Sequence, residues 1–212
     1  QRCDVRPLGF GYQLLQGLIP RAMGRRVVHN IFQVVGRIMR ILPSAIKSNR
    51  TGTPPPFTGI SGLGFFNDPA FARGDTPSAN ANCSARGLAK LAAMMAAGGK
   101  LEGKAFLGDA AWQALHDHPE KALMGSLITT RFTQGGVDSF VPCTPDSTQL
   151  ERDFQEGREG FYGWMGLGGS IFQWHPELEI GFAFVPTSLH VLDILNERGK
   201  RYQAEVLRCV AG

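Results

Sequence analysis

Few residue groups in this 212-residue chain have the types and spacing that chemistry requires. A serine followed three places on by a lysine sets a hydroxyl and an amine on one helix face, where the amine can take the hydroxyl proton and leave a nucleophile. One such string occurs, Ser44-Ala45-Ile46-Lys47. Its setting argues against that role. The serine would have to open a long apolar helix that buries the lysine, whereas Ser48-Asn49-Arg50-Thr51-Gly52 and then Pro54 follow. A nucleophile elbow needs G-x-S-x-G, and Gly59-Ile60-Ser61-Gly62-Leu63 breaks that pattern. Gly62-Leu63-Gly64 lacks the third glycine of a phosphate loop. His116 and His118 flank Asp117 just before Pro119, which predicts a capped, solvated helix end rather than a metal site. Cys3, Cys83, Cys143 and Cys209 are scattered with no C-x-x-C pair, so free, buried thiols are expected and no metal or cofactor. His175, before Pro176, reads as a turn residue and Trp174 as a core aromatic.

One further run concentrates four glycines in eight residues: Gly163-Trp164-Met165-Gly166-Leu167-Gly168-Gly169-Ser170. Glycines let a backbone approach another group closely. The elements that would position this run follow from periodicity. The second half of the run from Phe161 to Trp174 alternates and favours a strand, His175 to Leu178 a turn, and Ile180 to Pro186 a second strand, so the pair makes a hairpin. Asn82 or Ser84 can cap a helix to about Ala97, with Leu88, Leu91, Ala92 and Met95 as its apolar stripe and Gly98-Gly99 as its end. Asp109 can cap another, with Trp112 and Leu115 inward. Residues 125–143 read as short extended segments broken at Gly135-Gly136, 144–160 as a polar loop, and Val191 to Val210 as a closing helix carrying Leu192, Leu195, Tyr202, Val206 and Cys209.

The N-terminal quarter differs. Residues 1–50 carry nine Lys/Arg and one acid, Asp4, a balance of 9 − 1 = +8; the remaining residues carry 13 basic and 17 acidic groups, 13 − 17 = −4. From Pro20 to Leu42 polar and apolar positions alternate at helical spacing, predicting an amphipathic helix of about six turns stopped by Pro43. A surface helix docked on a core and weak membrane-surface contact through residues 20–42 both fit that pattern. Nucleic-acid binding does not, because the polar face has no interleaved aromatics. Residues 44–62, with Pro54-Pro55-Pro56, read as a linker or long loop, so the chain divides into 1–62 and 63–212. No apolar run approaches the ~18 residues of a spanning helix. The chain starts at Gln1 without a signal-peptide pattern, which is expected of a processed chain or a piece of a longer one. Helix pairs, a strand hairpin and a closing helix predict a mixed α/β or α+β domain built on an antiparallel sheet.

Two segments in order resemble one family. Pro77-Ser78-Ala79-Asn80, then Ser84-Ala85-Arg86-Gly87-Leu88-Ala89-Lys90-Leu91 and Gly98-Gly99, is similar to the P-S-x-N-x-x-x-S-A-R-x-L-A-x-L helix of class C β-lactamase-related proteins. The Gly163 to Ser170 run resembles that family's third motif, G-H-x-G-x-G-G-S, which is K-T-G in penicillin-binding proteins. The resemblance covers about residues 65–190. It implies an antiparallel sheet flanked by helices, β-lactamase/transpeptidase-like and incomplete here, and hydrolysis of a small-molecule ester or amide through an acyl-enzyme on a Ser in S-x-x-K, helped by a Tyr in Y-x-N. Trp164, Met165 and Gly166 take the H-x-G positions, and Leu167 would supply an oxyanion N–H. Trp164 departs from the pattern: an indole donates one hydrogen bond but neither accepts nor carries charge. Ser44 to Lys47 lies too close to Gly163 for the family order, and Tyr12, Tyr162 and Tyr202 all lack the Asn of Y-x-N. No catalytic residue is therefore credible among these 212. The expectation is the C-terminal part of a serine hydrolase, inactive as this chain, with an exposed sheet edge. The alternative is a non-catalytic binding or scaffolding module in which Trp164 fills the old site.

Overall fold

The structure, a computed structural model, describes residues 6–36, 39, 66–74, 81–124, 128–166, 168–190 and 192–211. Its centre is a six-stranded antiparallel sheet: β4 (Glu120–Met124), β5 (Ile128–Phe132), β6 (Asp138–Ser139), β7 (Tyr162–Met165), β8 (Ile171–His175) and β9 (Ile180–Phe184). The strands lie in chain order, as sequential hairpins dictate. The predicted hairpin is β8–β9, with Gln173 opposite Phe182. The Gly-rich run adds a second: β7 also is a strand, and Trp164 faces Phe172 across it.

Helices cover both faces, giving the α+β sandwich that the periodicity implies. Helix α4 (Ala85–Ala96) is capped by Ser84, whose Oγ accepts the Gly87 N–H at 3.1 Å. It buries Ala92, Met95 and Ala96 beside Trp174, while Leu91 of the expected stripe stays exposed. It crosses β9 where only glycine fits: a Cβ on Gly181 would overlap the Ala93 backbone nitrogen. On the other face α7 (Glu197–Ala211) lies over β8 and β9, through a Gln203–Gln173 hydrogen bond of 2.7 Å and the Phe184–Tyr202 ring pair. Phe140, Phe154, Phe161, Met165, Ile171 and Leu195 form the core there. Among the described residues the outer strands β4 and β9 each have one neighbour, as the expected sheet edge requires. Small elements complete the chain: β1 (Arg6–Pro7) pairs in parallel with β10 (Ser188–Leu189), β2 (Lys100–Leu101) pairs with β3 (Lys104–Ala105), and α3 spans Pro69–Arg73.

Four expectations need correction. The single helix from Pro20 to Leu42 does not form. Instead α1 spans Phe10–Leu18, a 3-10 turn spans Arg21–Met23, and helix α2 takes in residues 31–36 and 39. Gly24 ends the turn at φ 81°, and Arg25 donates to the Val27 and Val28 carbonyls that a continuous helix would use. Asn30 and Gln33 then cap α2 reciprocally, at 2.8 and 2.9 Å. Residues 144–160 are not all loop, because Thr148 and Glu151 form a capping box that starts α6 (Gln149–Gln155). The closing helix starts at Glu197 rather than Val191. Asp193 Oδ1 accepts the Glu197 N–H at 2.7 Å, and Asn196 sits at φ 51°, outside helical space. In α5 (Asp109–His116) the cap position is Gly108, with Asp109 inside the first turn.

Candidate functional site

The Gly163–Ser170 run occupies the end of β7 and the turn into β8. Strand β6 is two residues long and faces only Tyr162 and Gly163, so Trp164 and Met165 run beyond its end. The turn closes through Gly166, whose N–H donates to the Ser170 carbonyl at 2.8 Å and whose carbonyl accepts the Gly169 N–H at 3.3 Å. Gly168 and Gly169 adopt φ 87° and 121°, which side chains rarely tolerate. Their α-carbons are also crowded: a Cβ on Gly168 would meet Leu189 Cβ at 2.7 Å, and one on Gly169 would overlap the Arg198 guanidinium.

The C-terminal segment clamps this turn. Asn196 Nδ2 donates to both the Gly166 and Ser170 carbonyls at 2.9 Å. Arg198 donates to the Gly168 carbonyl and, at 3.2 and 3.3 Å, to that of Ser188. Asp193 holds Arg198 through a 3.1 Å contact from Nε and lies 3.8 Å from His29 Nε2. Burial works to raise the Asp193 pKa, but hydrogen bonds from His29, the Glu197 amide and Arg198 outweigh it and hold the carboxyl below the usual range. It is therefore an anion. Burial, with the Arg198 charge second, lowers the pKa of His190, whose Nε2 lies 3.3 Å from Ser188 Oγ. Among the described residues that serine–histidine contact has no third group orienting a base, and the Asp193 oxygens are engaged by Glu197, Arg198 and His29.

Beside the site strand lies a second buried electrostatic unit. Asp138, fully buried, is opposite Gly163. Its Oδ1 accepts the Arg131 N–H at 2.5 Å, and Oδ2 has no donor among the described residues. Burial raises its pKa to about 6, against the lowering effect of the Arg131 and Ser139 amides. Arg158, also fully buried, donates to the Phe154 and Leu195 carbonyls at 2.6 and 2.8 Å and lies 5.7 Å from the centroids of Phe140 and Phe154. Burial pulls its pKa down to about 10, so it remains charged at neutral pH. Sequence reasoning missed Asp138, Arg158, Asp193, Asn196 and Arg198. Asp138 stands alone between Val137 and Ser139-Phe140, whereas Arg158 lies among Glu156 and Glu159 and nothing local flags it.

The residues singled out by motif fall as follows. Trp164 is half-buried, 5.0 Å from the Phe132 centroid and 6.5 Å edge-on to Phe154, so its ring is a packing surface. Met165 is buried in the core. The close approach at Gly166 is made by the chain itself, since a Cβ there would overlap Ser170 Oγ. Leu167, Ser44 to Lys47 and residues 77–80 lie outside the described residues. His116 is not a solvated helix end. It is half-buried between Trp112, Tyr162 and Trp174, with ring centroids at 4.1, 4.6 and 5.8 Å. Trp174 Nε1 donates to His116 Nε2 at 2.8 Å, so the ring proton sits on Nδ1, 2.6 Å from the Trp112 carbonyl. Cys143, half-buried, has its pKa raised by burial first and Glu156 second, while Cys83 and Cys209 are free and exposed rather than buried.

The chain matches no protein family model and no curated protein. Among solved structures it is similar to a novel penicillin-binding protein homolog from Caulobacter crescentus, at 20% identity and a TM-score of 0.43. The likeness covers 59% of this chain and 33% of the other, so it spans about a third of that protein's length.

Proposed function

We propose that this chain forms the third-motif wall of a β-lactamase-related serine hydrolase, which cleaves a small ester or amide through an acyl-enzyme. The observation that supports the reading is the form of the Gly163–Ser170 run: strand residues Trp164 and Met165 beyond the end of β6, then a glycine turn clamped by Asn196 and Arg198. A backbone held in that way suits an oxyanion donor, which must be in place before charge develops. In this reading Leu167 supplies the N–H and Gly166, packed against Ser170 Oγ, shapes the turn that holds it, while the nucleophile and its lysine come from residues outside this sequence. The chain by itself then hydrolyses nothing.

A second reading has its own observation. The Trp164 ring packs against Phe132 and Phe154, which suits a site closed by a side chain in a non-catalytic module. Turnover separates the two. The complete reading frame containing these residues is assayed with p-nitrophenyl esters and a chromogenic cephalosporin, beside the 212-residue chain. A burst followed by steady turnover in the former alone is the expected result. No turnover by a well-folded complete protein, and none on Trp164→His, would establish the module instead.

A further inference from the structure

Helix α1 is packed inside out. Its buried face carries Gln13, whose Nε2 donates to the Leu8 carbonyl at 2.6 Å and whose Oε1 accepts the Leu192 N–H at 3.1 Å. Gly17, also buried, lies against α2: a Cβ there would be 3.2 Å from the Ile31 nitrogen. The apolar residues Leu15 and Leu18 point away from the protein. Along α2 Val34 is buried, while Phe32, Val35 and the helical Met39 are exposed. With Met23 in the turn between the helices, six large apolar side chains keep half or more of their surface in solvent, and Phe32 keeps 82%. A helix pair that buries a glutamine and exposes leucines reverses the ordinary arrangement and marks an interaction surface.

Charge identifies the occupant. From Val5 to Asn67 the sequence contains no aspartate or glutamate, whereas it contains eight arginines and lysines. Arg21 and Arg26 are exposed on the turn that joins the two helices. A protein partner or a second copy of this chain would bring acidic residues or repel this surface; an anionic bilayer offers both the apolar interior and the negative headgroups. No helix of the described residues is long and apolar enough to cross a membrane, so the elements would lie in the plane of the interface.

We propose that α1, the Arg21–Met23 turn and α2 form a docking surface for an anionic lipid bilayer. Leu15, Leu18, Met23, Phe32, Val35 and Met39 enter the boundary between headgroups and acyl chains, and Arg21 and Arg26 meet the anionic headgroups. The assignment is independent of the hydrolase reading.

The test is co-sedimentation of the 212-residue chain with vesicles of phosphatidylcholine alone and with 30% phosphatidylserine, at 0.1 and 0.5 M NaCl. Binding to the anionic vesicles, at least tenfold weaker on neutral ones and weakened by salt, is expected. Two variants keep the outcome independent of folding, which far-UV circular dichroism checks. L18S/F32S changes only exposed side chains, and R21Q/R26Q only charge, leaving Arg25 and its backbone contacts intact. Each should bind at least tenfold more weakly, since a surface arginine is worth about fivefold in affinity. No binding to anionic vesicles, or equal binding to neutral ones, would overturn the proposal. So would a dimer in light scattering that L18S/F32S dissolves, because that makes a second copy the occupant.

Discussion

The two ends of the chain use the same side-chain types in opposite ways. In residues 128–211 two buried charges are answered: Asp193 meets Arg198 and the first amide of α7, and Arg158 lies under two phenylalanine rings and donates to backbone carbonyls. In residues 10–39 six large apolar side chains stay half or more exposed, and the buried polar side chains are Gln13 and His29. The first arrangement fixes a turn in one conformation. The second leaves surface for something else to cover. Desolvating a charge is costly unless it is matched, so the C-terminal network makes geometry and not merely stability. Exposed leucines cost little in the folded state, so the N-terminal helices tolerate them.

The largest effect should come from removing the arginine of the clamp. Arg198→Ala leaves the buried Asp193 without its guanidinium, the Ser188 carbonyl without that donor and the Gly168 carbonyl with the His190 N–H alone, at a cost of about 3–5 kcal/mol in urea denaturation. A change below about 1 kcal/mol would mean that the clamp is decorative. A middle effect belongs to Asp138. Its folded pKa, about 6, exceeds the unfolded value near 3.8, so the folded state holds the extra proton between pH 4 and 6. Stability from this group is present at low pH and lost as pH rises through 6, reaching about 3 kcal/mol at pH 7. Buried histidines with lowered pKa values work in the other direction, so the comparison is with Asp138→Asn. The stability difference between the two proteins should shift by about 1–3 kcal/mol in favour of the native chain from pH 7 to pH 4.5. An unchanged difference would show that Asp138 does not titrate in that window. The smallest effect should be at the other end of the molecule: Leu18→Ser, at an exposed position, should stay within about 0.5 kcal/mol of the native chain. A loss of 2 kcal/mol there would end the contrast between the two regions.

Much of the sheet was legible because hairpins are local. The β8–β9 pair followed from alternation around a His-Pro turn, and α4 from a serine cap and a Gly-Gly end. What failed had a specific cause each time. Thr148 and Glu151 spell a capping box, yet the seven mostly polar residues of α6 carry no apolar stripe and so resemble a loop. Periodicity from Pro20 to Leu42 looked continuous, but Gly24 and Asn30 are a stop and a start within it. The glycine run was visible as a motif, whereas its clamp was not, because Asn196 and Arg198 reach it from about 30 residues away in sequence. Likewise the aromatic pocket of His116 depends on Trp174, 58 residues on, and no local pattern reveals it.

The most direct test of the account is to locate the acylated residue. The complete reading frame is treated with a serine-reactive fluorophosphonate or a labelled penicillin, digested, and mapped by mass spectrometry. The expected result is one modified serine that opens an S-x-x-K helix outside these 212 residues, with the label abolished by its substitution to alanine. A label on Ser44, Ser188 or any other serine within this sequence, or no label on a well-folded protein, would contradict it.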